Sequence, residues 1–347
     1  MIGMFLTAWF KERIGEWDRF WFTKSEPNTL CMLRLLSGGL MFYTHLIWSF
    51  ELIKMIGPHA WAPSKVSHAI YQRWQRDYSF TWTHFDWIPS NPAVLWIAHI
   101  IALIVFLLFA LGYQSRIMAV LACFFTISYS HRFSLLQYGL DQVNGMMALY
   151  LMLGPCGERY SIDAWLRSRK GDVSRPKAFV SANLAIRLLQ IHLCILYFYS
   201  GVEKMKGPAW WDGSAVWEAL ASFQYQSLDM TWLSRAPVLL AFMTHLTVFW
   251  ESAYPAIVWP KATRWFALGC AVLIHGGIGL AMGMPTFGSA MIFANMCFLS
   301  PKLVDGGVQA AARSLHRLFG WEFVQPVTEK GAEKGANRAP FAPARSS

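Results

Sequence analysis

The chain has 347 residues, 55% of them hydrophobic and only 14% charged, with 18 Trp and 25 Phe. Soluble domains carry about 25% charged residues, so the composition excludes an ordinary water-soluble enzyme and describes an integral membrane protein. The net charge of +10 does not imply nucleic acid, because the basic residues lie between apolar spans rather than in one patch.

Residues 1–27 predict an interfacial amphipathic helix, with Phe10, Ile14, Trp17 and Trp21 on one face and Glu12, Glu16 and Arg19 on another. Lys11, Glu12, Arg13, Glu16 and Asp18 break any cleavable signal there. Spans follow at 29–51, 93–113, 116–131 and 138–154. A polar-aromatic loop, 54–92, carries Trp61, Trp74, Trp82 and Trp87 and suits the headgroup region. After a basic loop at 156–177, the fifth span runs NLAIRLLQIHLCILYFYSGVEKM from Asn183. Three more occupy 236–259, 264–282 and 285–301.

The expectation is therefore an all-α integral membrane protein with about eight transmembrane helices, a membrane domain over 28–301, a juxtamembrane helix at 302–325 and a disordered tail at 326–347. The Lys and Arg residues concentrate on segments that share a side with the N-terminus. That bias predicts cytoplasmic termini and places Lys204 on the outer side. The six cysteines, Cys31, Cys123, Cys156, Cys194, Cys270 and Cys297, show no C-x-x-C pair or zinc spacing, so neither a disulfide framework nor a metal site is expected.

Ionisable groups in a membrane are costly unless partnered, and so are default functional candidates. Here they include His45, His99, His131, Asp141, Arg187, His192, Lys204, His245, Glu251 and His275. Lys204 closes the fifth span, just before Gly207-Pro208 and the Trp210-Trp211-Asp212-Gly213 turn. An ammonium there is partly desolvated, and an amine that sheds its proton can serve as a general base. The simpler alternative is a snorkelling lysine that anchors a helix end.

Gln190, Tyr197 and Lys204 recur every seven residues as a polar stripe. Asp141 and Asn144 share a face of the fourth span, as helix glue or as part of a site. Arg187 with Asp141 or Glu251 reads as a structural ion pair. The histidines serve equally as interhelical hydrogen-bond partners. His275 precedes Gly276-Gly277, where backbones can approach closely.

FYSGVEKM at 198–205, followed by Trp211-Asp212-Gly213, resembles the segment of vitamin K-dependent gamma-carboxylases that carries their active-site lysine. The resemblance puts Lys204 at that lysine, with Glu203 where the animal enzymes have another lysine. Tyr129-Ser130-His131 resembles the family's Asn-His stretch, which puts His131 at its functionally important histidine. Glu251, His275 and GIGLAMGMPTFGSAMIFANMCFLSP more loosely resemble its last membrane segments. With WFTKSEPNTL-x-x-LR-x-LSG and SYSH-x-x-x-x-x-x-YGLDQVN, the chain looks closer still to the bacterial HTTM (horizontally transferred transmembrane domain) proteins, relatives of the carboxylase that are mostly membrane domain.

The resemblance implies a bacterial inner-membrane enzyme. Lys204 would deprotonate a reduced vitamin K or menaquinol-like quinone, with O2 and CO2 as co-substrates and epoxidation, with or without carboxylation, as the outcome. His131 would orient the quinolate, and Tyr197, Gln190, His275, Trp210 and Trp211 would line the quinone site, the two tryptophans shielding it from water. Only 302–347 follows Pro301. The large lumenal domain of the animal enzymes is therefore expected to be missing, its place left to a peptide or protein substrate or an accessory protein. Two other readings stand beside this one. One is a haem-bearing quinol electron carrier using His45, His99, His192 or His245. The other is a non-catalytic membrane carrier or partner protein.

Overall fold

The computed structural model describes residues 2–61, 63–74, 82–133, 136–171, 177–225 and 227–319. Its helices in chain order are α1 (Ile2–Phe22), α2 (Asn28–Trp48), α3 (Leu52–Ile56), α4 (Ser64–Trp74), α5 (Pro92–Leu111), α6 (Ser115–Arg132), α7 (Gly139–Leu153) and α8 (Ile162–Arg169). Then come α9 (Val180–Met205), α10 (Pro208–Asp212), α11 (Ala215–Ala221), α12 (Pro237–Ile257), α13 (Lys261–Ala281), α14 (Pro285–Asn295) and α15 (Pro301–Phe319). Among the described residues there is no strand, only an isolated bridge between Ser25 and Phe179. The tail expected at 326–347 lies outside the described residues.

Each span read from the sequence falls on a helix, yet among the described residues four are long and apolar enough to cross a membrane by length and composition: α2 continued to Ile56, α5, α9 and α13. At about 1.5 Å per residue, α7 with 15 residues and α14 with 11 fall short of a hydrocarbon core on their own. Apolar side chains face outward on the long helices. Ile97, Ile100, Ile101 and Ile104 of α5 are exposed, as are Trp265, Phe266, Leu273 and Leu280 of α13. A membrane protein shows this pattern because lipid, not water, surrounds the bundle.

The 54–92 connection packs in part against the bundle. Thr83, His84 and Phe85 are buried against α6. Ser128 Oγ accepts from the His84 backbone N–H at 2.8 Å and pairs with His84 Nδ1 at 2.6 Å and Thr83 Oγ1 at 2.9 Å.

The opposite end of the bundle is tied together by Arg34, which is fully buried in α2. Its guanidinium donates to the carbonyls of Phe109, Ala110, Cys156 and Tyr160. Two of these close α5, where a cation meets the negative end of the helix dipole. Gly112 ends α5 in the left-handed region, φ 72°, and a side chain there would strike Arg34. One residue pair later the Asp163 carboxylate accepts from the N–H groups of Gln114 and Ser115, both at 2.8 Å, capping α6. One cation and one anion thus anchor the 154–163 segment to three helices.

Arg34→Leu should lower the thermal stability of the detergent-solubilised protein by on the order of 3 kcal/mol, since several buried carbonyls lose their donor together. Arg34→Lys should restore only part of that loss. Thermal unfolding of both variants checks this.

Burial, with the neighbouring His99 adding to it, pushes the His84 imidazole down to about 4 against the opposing effect of Asp86. The folded state therefore holds His84 neutral while the unfolded chain takes up a proton below pH 6.5. Its contribution is complete above that pH and is lost as pH falls toward 4, by on the order of 2 kcal/mol. Hydrogen exchange in 82–88 should accelerate over this window, and His84→Gln should flatten the response.

Candidate functional site

The strongest concentration of interior chemistry lies where α9 meets α12. Lys204 occupies the last turn of α9, and its Nζ stands 2.7 Å from a carboxylate oxygen of Glu251 on α12. That oxygen lies outside hydrogen-bonding angle, so the contact is an ion pair more than a directed bond. Lys204 Nζ also donates to Ser200 Oγ at 2.7 Å, one helical turn back. The Trp210 ring covers the ammonium at 5.4 Å. Glu251 is buried, whereas the Lys204 side chain keeps 24% of its exposure. The amine therefore has one side in protein and one side open.

Gly201 makes this pairing geometrically feasible. A Cβ there would sit 2.7 Å from the backbone nitrogen of Ser252 and closer still to its Oγ. Only a residue without a side chain lets the two backbones approach so closely. The residue after Ser200 thus sets the helix spacing that brings Lys204, one turn on, against Glu251.

A second layer lies one to two turns deeper. Asn295 Nδ2 donates to Tyr197 Oη at 2.8 Å, and Tyr254 Oη donates to Asn295 Oδ1 at 2.6 Å. Tyr197 Oη pairs with His275 Nε2 at 2.8 Å. The Tyr197 oxygen, which accepts from Asn295, can give or accept the hydrogen bond to His275. His275 Nδ1 is buried and has no hydrogen-bond partner among the described residues. The second layer lies within electrostatic reach of the first, Glu251 acting on Tyr197 and Lys204 on His275. The close approach of α13 and α14 comes from Gly279 and Gly288, while Gly276 and Gly277 face open space, contrary to expectation.

The other expected site residues have partners of their own. The His131 ring, at the end of α6, meets the Trp82 carbonyl at 2.9 Å and the Trp82 ring edge-on. Gln190 donates to the Cys297 carbonyl at 2.8 Å. It lies about 21 Å along α9 from Lys204 by helical rise, so the seven-residue stripe cannot surround one small ring system.

Arg187 is paired with neither acid: it bonds the Phe20 carbonyl and Gln190, whereas Lys204 has taken Glu251. Asp141 accepts from the Tyr138 N–H and closes a capping box at the start of α7. Asn144 is buried within that helix. His192 pairs with Tyr150. Trp211 is exposed and donates to the Met205 carbonyl, so Trp210 alone of the two covers the lysine.

Two of the four histidines weighed as haem ligands, His99 and His45, are closely packed. Both His99 nitrogens are engaged, by Ser49 and Tyr129. The His45 ring is 4.6 Å from that of Tyr129 and 4.3 Å from that of Phe106, too close to admit a porphyrin. His84, Ser200, Gly201, Tyr254 and Asn295 were not among the expected site residues; the Ser-Gly step before Val-Glu-Lys was the signal available for two of them.

These features define a helical membrane protein with an acid–amine pair at one mouth of the bundle. The family model described as the HTTM domain matches residues 22–302, and the chain belongs to that family, a membrane domain linked to the vitamin K-dependent carboxylases. No curated protein and no solved structure matches the chain.

Lys204→Met should cost about 3–5 kcal/mol by stranding the buried Glu251 carboxylate. Adding Glu251→Gln should recover most of that loss, and a double-mutant cycle on thermal stability would measure the coupling.

Proposed function

We propose that the protein is a membrane-embedded, carboxylase-like enzyme in which the Lys204–Glu251 pair accepts a proton from a hydroxyl of a reduced naphthoquinone. The observation that carries this reading is the pair itself: a part-exposed amine held against a buried carboxylate, with Ser200 accepting from the amine. The Trp210 ring over the amine offers a flat apolar contact beside a polar edge, which suits a flat apolar ring carrying a hydroxyl.

The donor set fits such a ligand. Lys204 would receive the hydroxyl, and the unpartnered Nδ1 of buried His275 would, when protonated, be an interior donor for an oxygen that becomes negative. A quinol, when bound, supplies the electrons that reduce dioxygen, ending as an epoxide with release of water; carbon dioxide enters only where a carbon acid is also deprotonated. Proton transfer is assigned to the acid–amine pair as a unit, because an amine in contact with a carboxylate shares its proton with that partner. Ser200 holds the amine, and Trp210 restricts water on the side it covers. His131 would orient the quinolate, as the family resemblance implies. The surrounding bilayer is the reservoir from which an isoprenoid quinol would arrive.

Membranes containing the wild-type chain, given a reduced menaquinone and dioxygen, should form quinone epoxide detectable by mass spectrometry. Lys204→Ala should lower the rate by about 10²-fold or more, and Glu251→Gln by a comparable factor. Epoxide formation unchanged in Lys204→Ala, or absent with the wild type, would remove this reading.

A further inference from the structure

At the end of α9 away from Lys204, a cavity of about 210 Å³ opens between the α1–α2 junction, α9, the start of α13 and the 297–301 segment. Arg187 and Arg264 both line it, about 25 Å along the bundle from Lys204 by helical rise. Arg187 donates from Nε to the Phe20 carbonyl at 3.3 Å and from Nη1 to Gln190 Oε1 at 3.0 Å. Arg264 donates from Nε to the Val258 carbonyl at 3.1 Å and from Nη2 to the Trp259 carbonyl at 2.6 Å. A guanidinium has five N–H donors, so each arginine keeps three that no described residue engages.

Neither arginine forms an ion pair among the described residues, and the two are close enough to repel each other. The Phe20 ring stacks on the Arg187 guanidinium at 4.4 Å, which holds its plane while leaving the in-plane donors available. The other lining groups are already committed. Asn183 serves the Phe20 and Trp21 carbonyls, Gln190 the Cys297 carbonyl and Thr29 the Leu299 carbonyl. Glu26, the acid on the lining, is exposed at the rim. With Glu26 ionised, the lining retains one net positive charge. Two half-buried cations facing a shared polar space, with spare planar donors and one excess charge, form an anion site.

We infer that this cavity binds the phosphate of a singly charged phosphodiester, each guanidinium donating to one of its two non-bridging oxygens. A tetrahedral anion matches two forks that approach from different helices better than a planar carboxylate does. The same chemistry is carried by an anionic phospholipid headgroup and by a soluble phosphate ester. The position under the interfacial helix α1 makes the lipid headgroup the natural source. This inference is independent of the Lys204 site.

The test uses the full-length protein, delipidated in detergent, with thermal unfolding measured against added phosphatidylglycerol, phosphatidylcholine or inorganic phosphate at constant ionic strength. Phosphatidylglycerol should raise the midpoint and phosphatidylcholine should not. Arg264→Gln should weaken the phosphatidylglycerol response about tenfold or more, and Arg264→Lys should restore part of it. Glu26→Gln, at an exposed position, should tighten binding severalfold by removing the competing charge.

Stabilisation by phosphatidylglycerol but not by inorganic phosphate identifies the lipid. Equal stabilisation by both identifies a soluble phosphate source and keeps the anion site. Should neither stabilise the wild type, or should Arg264→Gln and Glu26→Gln respond as the wild type does, the inference is overturned.

Discussion

The approach of α9 to α12 at Gly201 and Ser252 governs the chemistry of this protein. Two helices whose backbones nearly touch cannot rotate or slide freely past one another, so the residues one turn on either side are held in register. That register puts the Lys204 amine on Glu251 and Tyr197 beside Tyr254. A bulkier residue at Gly201 would separate both layers together.

Elsewhere the bundle obeys one rule. Lipid offers no hydrogen bonds, so every interior polar group must find its partner within the protein. Arg34 meets this with four carbonyls and no acid, His99 with the hydroxyls of Ser49 and Tyr129, and Asp163 with the N-terminus of α6. Several buried ring nitrogens, His45 Nε2, His84 Nε2 and His275 Nδ1 among them, have no partner among the described residues. The spare donors of Arg187 and Arg264 face a polar cavity. Along α9 the chain thus carries Lys204 near one end and Arg187 near the other.

The two ends differ in character. At the Lys204 end the cation is matched by one buried acid and covered by the Trp210 ring. At the Arg187 end two cations exceed the single acid on a polar lining. The first arrangement balances its charge within the bundle, whereas the second leaves planar guanidinium donors over.

Helical spacing and composition made much of this legible in advance. The apolar runs marked the helices, and the abrupt change at Ser200–Lys204 marked a lysine at the edge of an apolar span. The N-terminal segment read as amphipathic and is a helix. What spacing reports is the face and depth of a residue on its own helix; it carries no information on which neighbouring helix that face will meet. Hence Arg187 was matched with acids that belong to Lys204 and to the cap of α7, and Gln190 was grouped with a lysine some 21 Å away along the same helix.

The aromatic 54–92 loop read as an interface segment, yet it sends His84 inward, because Ser128 on α6 offers a hydroxyl that only the packed bundle brings within reach. Element identity was local and could be read from the chain. The choice of partner was decided by the rotation and axial register of packed helices, which contacts far apart in sequence, such as Gly201 against Ser252, establish.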